Sequence, residues 1–497
     1  MSLRPNDGAS STSHRKKVYK NTGVDFQEGR RRRQDGAIQI RKNRRQENLS
    51  KKRKEEEVED DASSPCPINP NPDLVLFKIQ RIPTLTRQLF SNDLAAQLEA
   101  TTQICTLLSK GHIALIDEVI RAGVVPQLVK FLARVDAPQL QSKAASTLSY
   151  ISSGTSEHTR IVVEHEAVPL LVRLLYCGTD DTKEEAIWAL GNIAGDSPST
   201  RDHVVGYGAL FPILGLLWNP LVVKRSTLRI ASWTLANLCR GKPSSTVLEQ
   251  MRSAIPFLRN LLVLVDEEIV VNACWTLAYL THEASSEMIQ AVIDANICPR
   301  LVVLLSSPVS KATVPIMVTL GSLAMGDEAN TQVLIDSGAL PCLKLLLSQS
   351  DKDVVKHACW VISNITAGNI AQIQAVIDAD LISPLVHLSK AEFDIKKEVA
   401  WVIANATYGT PEQIRFLASK GCIEALCDIL ICSDTTMMAF ILLGLYTILL
   451  VDEGNVYAEK VEACGGLEKI LSLQGHENDD VYTMAVDILE TYWPDVL

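Results

Sequence analysis

The stretch AIWALGNIAGD, residues 186–196, decides the fold because near-copies of it recur along the chain. The copies read ASWTLANLCRG at 231–241, ACWTLAYLTHE at 273–283, ACWVISNITAG at 358–368 and VAWVIANATYG at 399–409. Their tryptophans are separated by 45, 42, 85 and 41 residues, and VTLGSLAMG at 318–326 fills the double interval. A regular period of about 42 residues is typical of stacked structural repeats.

A second phrase recurs at the same period and predicts how each repeat is built. It places a small or turn residue and a proline ahead of an apolar run, as in IRAGVVPQLVKFL at 120–132, VEHEAVPLLVRLL at 163–175, IDANICPRLVVLL at 293–305 and IDSGALPCLKLLL at 335–347. This pattern indicates a tight turn into a helix, with proline in the first helical turn where its missing N–H costs little. We therefore predict an all-α fold, a right-handed armadillo-repeat superhelix (α-solenoid) of about ten repeats over residues 74–497.

The charge is divided unevenly between a basic N-terminal arm and an acidic body. Residues 1–54 hold 17 Lys/Arg against 5 Asp/Glu, a net charge of +12, and the remainder holds 31 against 53, a net charge of −22. Few apolar residues accompany the basic clusters, so we expect the arm to be disordered alone and helical when bound. Residues 55–73, acidic and then rich in Ser, Pro and Asn, are predicted to be a flexible linker. The asymmetry favours electrostatic recognition, including recognition of the arm by the body.

Cysteine usage and motif content bear on the compartment and on enzymatic activity. The twelve cysteines include no CxxC pair, and no hydrophobic segment stands at the N-terminus, so we expect a reducing compartment. The longest apolar run, at 439–451, is too short to cross a bilayer, so we expect no membrane insertion. There is no Gly-rich phosphate loop, HExxH or GxSxG, and His and Cys show no metal-ligand spacing. We predict no enzymatic activity, no metal and no cofactor.

The functional signal is a pair of side chains four residues apart within the recurring segment. The pairs are Trp188 with Asn192, Trp233 with Asn237, Trp360 with Asn364, and Trp401 with Asn405. Residues at this spacing share one helix face, so stacked repeats bring the pairs side by side. Asparagine can donate to and accept from the backbone of an extended peptide, and neighbouring indoles can hold the stem and charge of Lys or Arg. Asp196 is the best candidate for selecting a basic side chain.

These features together resemble the importin α family from end to end. The arm segments HRKKVYKNTG at 14–23, EGRRRRQD at 28–35 and IQIRKNRRQENLSKKRK at 38–54 resemble its importin-β-binding domain in order and spacing. The resemblance implies importin-β contacts from Arg30, Arg31, Arg32, Arg33, Arg41, Lys42, Arg44 and Arg45. It also implies that Lys51, Lys52, Arg53 and Lys54 mimic a nuclear-localisation signal (NLS) and compete with cargo.

The resemblance further implies two grooves for basic NLS peptides, mono- or bipartite. The larger groove would use Trp188, Asn192, Asp196, Trp233, Asn237, Trp275 and Tyr279. The smaller would use Trp360, Asn364, Glu398, Trp401 and Asn405. An export receptor with Ran-GTP would be a further partner, and the protein would shuttle between cytoplasm and nucleus through the nuclear pore.

Several positions depart from the family pattern. Ser146 and Tyr150 stand where Trp and Asn are usual, and Val318 and Ser322 stand where Arg and Asn are typical. Family acids or amides are replaced by Glu185, Asn272 and His357. The changes at 146 and 150 weaken one end of the larger groove, and those at 318, 322 and 357 weaken the smaller.

Two other functions compete with transport. Arginine-rich segments such as the arm bind nucleic acid, but the acidic body and the few arm aromatics, Tyr19 and Phe26, argue against it. We expect no nucleic-acid partner. A diverged armadillo scaffold with weakened NLS binding is the main alternative; a general scaffold would share the fold but lack the arm and the regular Trp/Asn pairs.

Overall fold

The computed structural model describes residues 72–109, 113–241, 245–282, 284–306 and 310–496. These residues form α-helices joined by short turns, with two short 3₁₀ segments and no β-strand among them. The predicted all-α armadillo fold is confirmed. Chain contacts divide the described residues into two compact units, 72–280 and 281–496. The predicted arm, residues 1–54, and almost all of the predicted linker lie outside the described residues.

The first unit contains a pair of helices followed by repeats of three. In chain order its helices are α1 (Pro72–Leu89), α2 (Leu94–Ser109), α3 (Ile113–Arg121), α4 (Val124–Leu132), α5 (Pro138–Ser152), α6 (Ser156–Glu164), α7 (Ala167–Cys177), α8 (Asp180–Ala194), α9 (Pro198–Gly206), α10 (Leu210–Trp218), α11 (Arg225–Cys239), α12 (Ser245–Arg252), α13 (Ile255–Leu261) and α14 (Glu267–Thr281). From α3 onward, each repeat has two short helices and a longer third helix. The third helices α5, α8, α11 and α14 carry the recurring segment.

The second unit continues the same three-helix pattern. Its helices are α15 (Ser286–Asp294), α16 (Cys298–Leu305), α17 (Thr313–Ala324), α18 (Glu328–Asp336), α19 (Ala339–Leu346), α20 (Lys352–Thr366), α21 (Ile370–Asp378), α22 (Ile382–Leu388), α23 (Phe393–Ala406), α24 (Pro411–Ser419), α25 (Cys422–Ile429), α26 (Thr435–Leu449), α27 (Val456–Ala463), α28 (Gly466–Ser472) and α29 (Asp479–Tyr492). The third helices are α17, α20, α23, α26 and α29. Together with α1 and α2, the described repeats agree with the expectation of about ten.

The turn between the first and second helix of a repeat depends on a left-handed residue. Gly123 has φ 71° before α4 and Gly338 has φ 81° before α19. Glycine adopts this conformation without steric cost, so the turn predicted from the recurring phrase is built where glycine stands. Glu166 holds the same position before α7 at φ 58°, which shows that the repeat geometry imposes the turn even on a side chain that disfavours it.

The repeats pack through continuous apolar faces. Leu148, Leu190 and Leu235, each on a third helix of the first unit, are fully buried.

No single helix in the described part of the chain is long and apolar enough to cross a membrane, although the bent pair α15 and α16 meets the length and composition criteria together. Met288 and Leu301 of that pair are buried in the protein interior.

Ion pairs join neighbouring third helices near their N-terminal ends. Arg229 on α11 contacts Asp266, the residue before α14, at 2.9 Å, and Lys397 on α23 contacts Asp434, the residue before α26, at 2.8 Å. Burial opposes ionisation of Asp266, but its hydrogen bonds from Arg229 hold its pKa below the ordinary value of 3.8. Burial also opposes ionisation of Asp434, but Lys397 and the backbone N–H of Met437 together lower its pKa. These carboxylates therefore stabilise the repeat stack while they are charged.

Candidate functional site

Each Trp/Asn pair lies on a third helix, and hydrogen bonds from the asparagines join successive third helices. In the first unit, Asn192 Nδ2 donates to the carbonyl oxygen of Ser149 at 2.9 Å, and Asn237 Nδ2 donates to Gly191 O at 3.0 Å. Each acceptor is the residue just before the Asn position of the preceding repeat. The pairs on α8 and α11 thus form one row with α5.

The second unit repeats this arrangement. Asn364 Nδ2 donates to Gly321 O at 3.1 Å, and Asn405 Nδ2 donates to Ser363 O at 3.0 Å. Because a carbonyl only accepts, these bonds fix the orientation of each amide and commit one of its two N–H groups to the scaffold. In Asn237, Asn364 and Asn405 this bond leaves Oδ1 and the second N–H uninvolved, whereas Asn192 Nδ2 also contacts the hydroxyl of Ser149 at 3.4 Å. The spacing of residues in the sequence does not reveal that each asparagine side chain also bonds to the preceding repeat.

The indoles also contribute to packing between repeats. Trp233 lies against Gly191, and Trp360 lies against Gly321, so closely that a Cβ on either glycine would collide with the ring. Trp233 and Trp360 are 4% and 3% exposed, and Trp401 is 7% exposed. These indoles therefore fill space between repeats as well as bordering the asparagines. The glycine that precedes the Asn position in the preceding repeat is the sequence signal for this contact.

The larger predicted groove keeps more of its aromatic surface accessible. Trp188 and Trp275 are half-buried, as is Tyr279, which stacks on Trp275 with ring centroids 5.7 Å apart. Tyr150, in the Asn position of α5, meets the ring of Trp188 edge-on at 5.8 Å. Together with the row on α8 and α11, these side chains extend an aromatic and amide surface from α5 to α14. All seven residues predicted for the larger groove lie in the first unit.

The acidic residues predicted for the two grooves have different surroundings. Asp196 is half-buried after the end of α8, and its Oδ1 accepts a hydrogen bond from the hydroxyl of Ser156 at 2.9 Å. Asp196 Oδ2 is the oxygen that this bond does not use. Glu398 is only 2% exposed, one turn before Trp401 on α23. Its charge acts on Cys359, where burial first and Glu398 second raise the pKa of the thiol.

Two polar atoms of the smaller predicted groove are buried without a hydrogen-bond partner in the described structure. They are Asn364 Oδ1 and Trp401 Nε1, one acceptor and one donor on neighbouring third helices. Buried polar atoms are usually satisfied, so this pair is suited to a ligand with both a donor and an acceptor, such as a peptide backbone. Phe440 on α26, which the sequence pattern does not predict, packs against Trp401 from the following repeat. The centroids of the two rings lie 4.6 Å apart.

Three of the departing positions, Ser146, Val318 and Ser322, are buried and present little ligand surface. Ser146 and Ser322 are 6% and 5% exposed, and the hydroxyl of Ser322 donates to Val318 O within its own helix at 2.8 Å. His357 donates from Nδ1 to Asp353 O at 2.6 Å, and its ring meets that of Trp360 edge-on. The row on α8 and α11 begins after α5, and the row on α20 and α23 begins after α17, and neither α5 nor α17 carries the pair.

The described residues contain no group of three or more His, Cys, Asp or Glu side chains placed to hold a metal ion. The predicted importin-β contacts, from Arg30 to Arg45, and the predicted autoinhibitory residues, from Lys51 to Lys54, lie outside the described residues.

Three family models match parts of this chain. A family model described as importin beta binding domain matches residues 15–102. The armadillo/beta-catenin-like repeat model matches 113–153, 155–195, 327–367 and 369–408, and an atypical Arm repeat model matches 455–496. Importin subunit alpha-1a of Oryza sativa subsp. japonica is 49% identical over 507 residues, covering 100% of this chain and 94% of that protein.

The chain belongs to the importin α family. Importin subunit alpha-4 of Arabidopsis thaliana is 48% identical, with 99% of this chain and 93% of that protein covered. The crystal structure of an engineered protein matches with a TM-score of 0.76 at 27% identity, over 83% of this chain and 98% of that one. The family consists of nuclear transport adaptors rather than enzymes, in line with the expectation from the motifs.

Proposed function

We propose that this importin α family member binds basic NLS peptides along its Trp/Asn rows and links the cargo to importin β through residues 1–54. The observation that carries the proposal is the repeated amide geometry: four asparagines are oriented by the preceding third helix, and Asn364 Oδ1 and Trp401 Nε1 are buried without a partner in the described structure. A rigid row of such amides binds an extended backbone whatever its sequence.

Selectivity for basic cargo rests on the aromatic and acidic side chains beside the amides. The half-buried rings of Trp188 and Trp275 can receive the stems of Lys or Arg, and Asp196 Oδ2 can accept from a lysine ammonium. The net charge of −22 beyond residue 54 favours approach of a basic peptide. Monopartite signals occupy the larger groove, which contains the Trp/Asn pairs of α8 and α11, here called the larger row. Bipartite signals use both the larger and the smaller groove.

The second candidate function is NLS binding in a shortened peptide site, and the repeats next to the Trp/Asn pairs favour it. Neither α5 nor α17 carries a Trp/Asn pair, and their replacement side chains are largely buried. In this form the protein binds fewer cargo residues and acts as a specialised adaptor with weakened NLS binding. A full-length site and a shortened site differ in how affinity depends on peptide length. Only in the full-length site do peptide residues that reach α5 increase the affinity.

The arm is proposed to serve importin β and the protein's own groove in turn. The Arg30–Arg33 and Arg41–Arg45 clusters bind importin β as a helix, and Lys51–Lys54 occupy the larger row when importin β is absent. Tethering through a short linker gives a weak intramolecular ligand a high effective concentration. Release of cargo, return by an export receptor with Ran-GTP, and shuttling between cytoplasm and nucleus belong to the same proposal.

Assembly of a ternary complex tests this function. A chain with an intact arm is expected to join a basic NLS peptide to importin β, and a peptide of residues 13–54 is expected to bind importin β without the repeats. The chain without residues 1–54 should keep the NLS peptide and lose importin β. Preferential binding of nucleic acid by that truncated chain would contradict the proposal, as would failure of the 13–54 peptide to bind importin β.

A further inference from the structure

A hydroxyl contact joins the acidic residue of the larger groove to the preceding repeat. Ser156 is exposed at the first position of α6, and its Oγ donates to Asp196 Oδ1 at 2.9 Å. Asp196 lies just past the end of α8, where its backbone N–H donates to Ile193 O at 3.2 Å. Residues 156 and 196 stand at different positions of their repeats, so the regular period does not predict this contact.

The start of α6, which carries the hydroxyl, is held in place from two sides. The Thr155 hydroxyl accepts from the His158 N–H, and His158 Nδ1 accepts from the Thr155 N–H, so that the two residues form a capping box. Because Nδ1 accepts, Nε2 carries the ring hydrogen and donates to Asp117 Oδ1 on α3 at 2.7 Å. His158 is only 3% exposed. Ser156 therefore presents its hydroxyl from a fixed helix end.

The bond from Ser156 uses only one oxygen of the Asp196 carboxylate. No lysine or arginine of the described residues forms an ion pair with Asp196, so its charge is not neutralised within that part of the chain. A lysine ammonium is a compact charge that needs a single oxygen, whereas an arginine guanidinium binds a carboxylate best through two parallel bonds that use both oxygens. An arginine would have to share or displace the Ser156 hydroxyl at Oδ1, and a lysine would not.

We propose that Ser156 is a specificity-determining residue that makes the Asp196 subsite select lysine over arginine. The inference rests on the proposed binding of basic peptides in the larger groove. The hydroxyl stabilises a carboxylate orientation in which Oδ2 meets the ammonium, and it competes with a guanidinium for Oδ1. Because a hydrogen bond to a charged group is at stake, an arginine should bind this subsite about tenfold more weakly than a lysine.

An arginine scan of a short basic peptide tests the proposal. The probe is a labelled peptide of four consecutive lysines between glycines, together with its four single-arginine versions, titrated into the full-length protein in fluorescence anisotropy. The wild-type protein should bind one of the arginine versions about tenfold more weakly than the parent peptide. Ser156→Ala should reduce that difference to about twofold or less, because both oxygens of Asp196 become available to the guanidinium. Competition by the arm lowers every affinity by the same factor and leaves the comparison unchanged.

Three further variants serve as controls. Ser156→Thr keeps a hydroxyl and should keep the wild-type preference. Ser253→Ala should also keep it, because Ser253 is an exposed serine whose Oγ donates to Gln250 O at 2.6 Å rather than to Asp196. In an Asp196→Asn background, Ser156→Ala should no longer change the preference, because the carboxylate through which it acts is gone.

The two possible failures can be told apart. The role of Ser156 is overturned if the wild-type protein binds all four arginine versions as tightly as the parent peptide. It is also overturned if Ser156→Ala weakens lysine and arginine peptides by one common factor, as a merely structural role would, or leaves their ratio unchanged. Absence of binding by every peptide would instead contradict the proposed function on which the inference rests.

Discussion

Replacing Asn192 with alanine separates the scaffold role of the array from its proposed ligand role. The change removes the 2.9 Å hydrogen bond to Ser149 O, whose carbonyl keeps its intrahelical bond from the Ser153 N–H at 3.1 Å. The Ser149 carbonyl therefore stays paired while the Ser149 hydroxyl loses its 3.4 Å contact with the amide, and the free energy of unfolding should fall by about 1 kcal/mol. The lost Oδ1 and N–H would also cost a bound peptide one backbone contact, about 1.4 kcal/mol or tenfold in Kd.

Gln141→Ala is the matched control for this experiment. Gln141 is 5% exposed on α5, and its Nε2 donates to Leu132 O at 3.0 Å, away from the Trp/Asn row. Gln141→Ala should lose at least as much stability in chemical denaturation, because Leu132 O loses the bond from Gln141, but only Asn192→Ala should weaken a labelled basic peptide in fluorescence anisotropy. Equal peptide affinity in the two variants would refute the idea that the array asparagines bind ligand.

Three further predictions address charge, packing and pH. Asp196→Lys should weaken basic-peptide binding well over tenfold with an unchanged circular dichroism spectrum, because a partly desolvated lysine contact is a plausible hot spot; unchanged affinity would remove this residue from the site. Gly321→Ala should lower the free energy of unfolding by about 1–3 kcal/mol, because the added methyl displaces the indole of Trp360. Gly215→Ala, in a helix with open space around the glycine, should leave that free energy unchanged or raise it. Equal denaturation midpoints for the two variants would contradict the packing argument. The pKa of Asp266 in the folded protein lies below 3.8, so the stability that its charged form contributes is present above pH 3.8 and is lost as the pH falls through the folded value. The melting temperature should therefore decline below about pH 4. It should decline less steeply in Asp266→Asn, which has no carboxylate to protonate.

The sequence predicts the repeat fold well because its signals are local and recur many times. The turn at Gly123 and the helix that carries Trp188 each depend on short segments with a regular period. The position of the Trp/Asn pairs on the third helices follows from the same period. The family resemblance adds the arm, whose basic clusters have a recognisable order.

The remaining features depend on contacts between repeats, which a linear pattern does not encode. The orientation of the Asn364 amide is set by a carbonyl one repeat away, and the burial of Trp360 by a glycine in that same repeat. Such contacts become visible only once the helices are packed.

Titration of a labelled basic NLS peptide into the protein with and without residues 1–54 tests the central claim most directly. Both forms should bind the peptide, and the truncated form should bind it several-fold more tightly because Lys51–Lys54 no longer compete for the larger row. Importin β should raise the apparent affinity of the intact protein in the same way, as positive coupling requires. Equal affinities that importin β leaves unchanged would contradict autoinhibition, and absence of binding by both forms would contradict the proposed adaptor function itself.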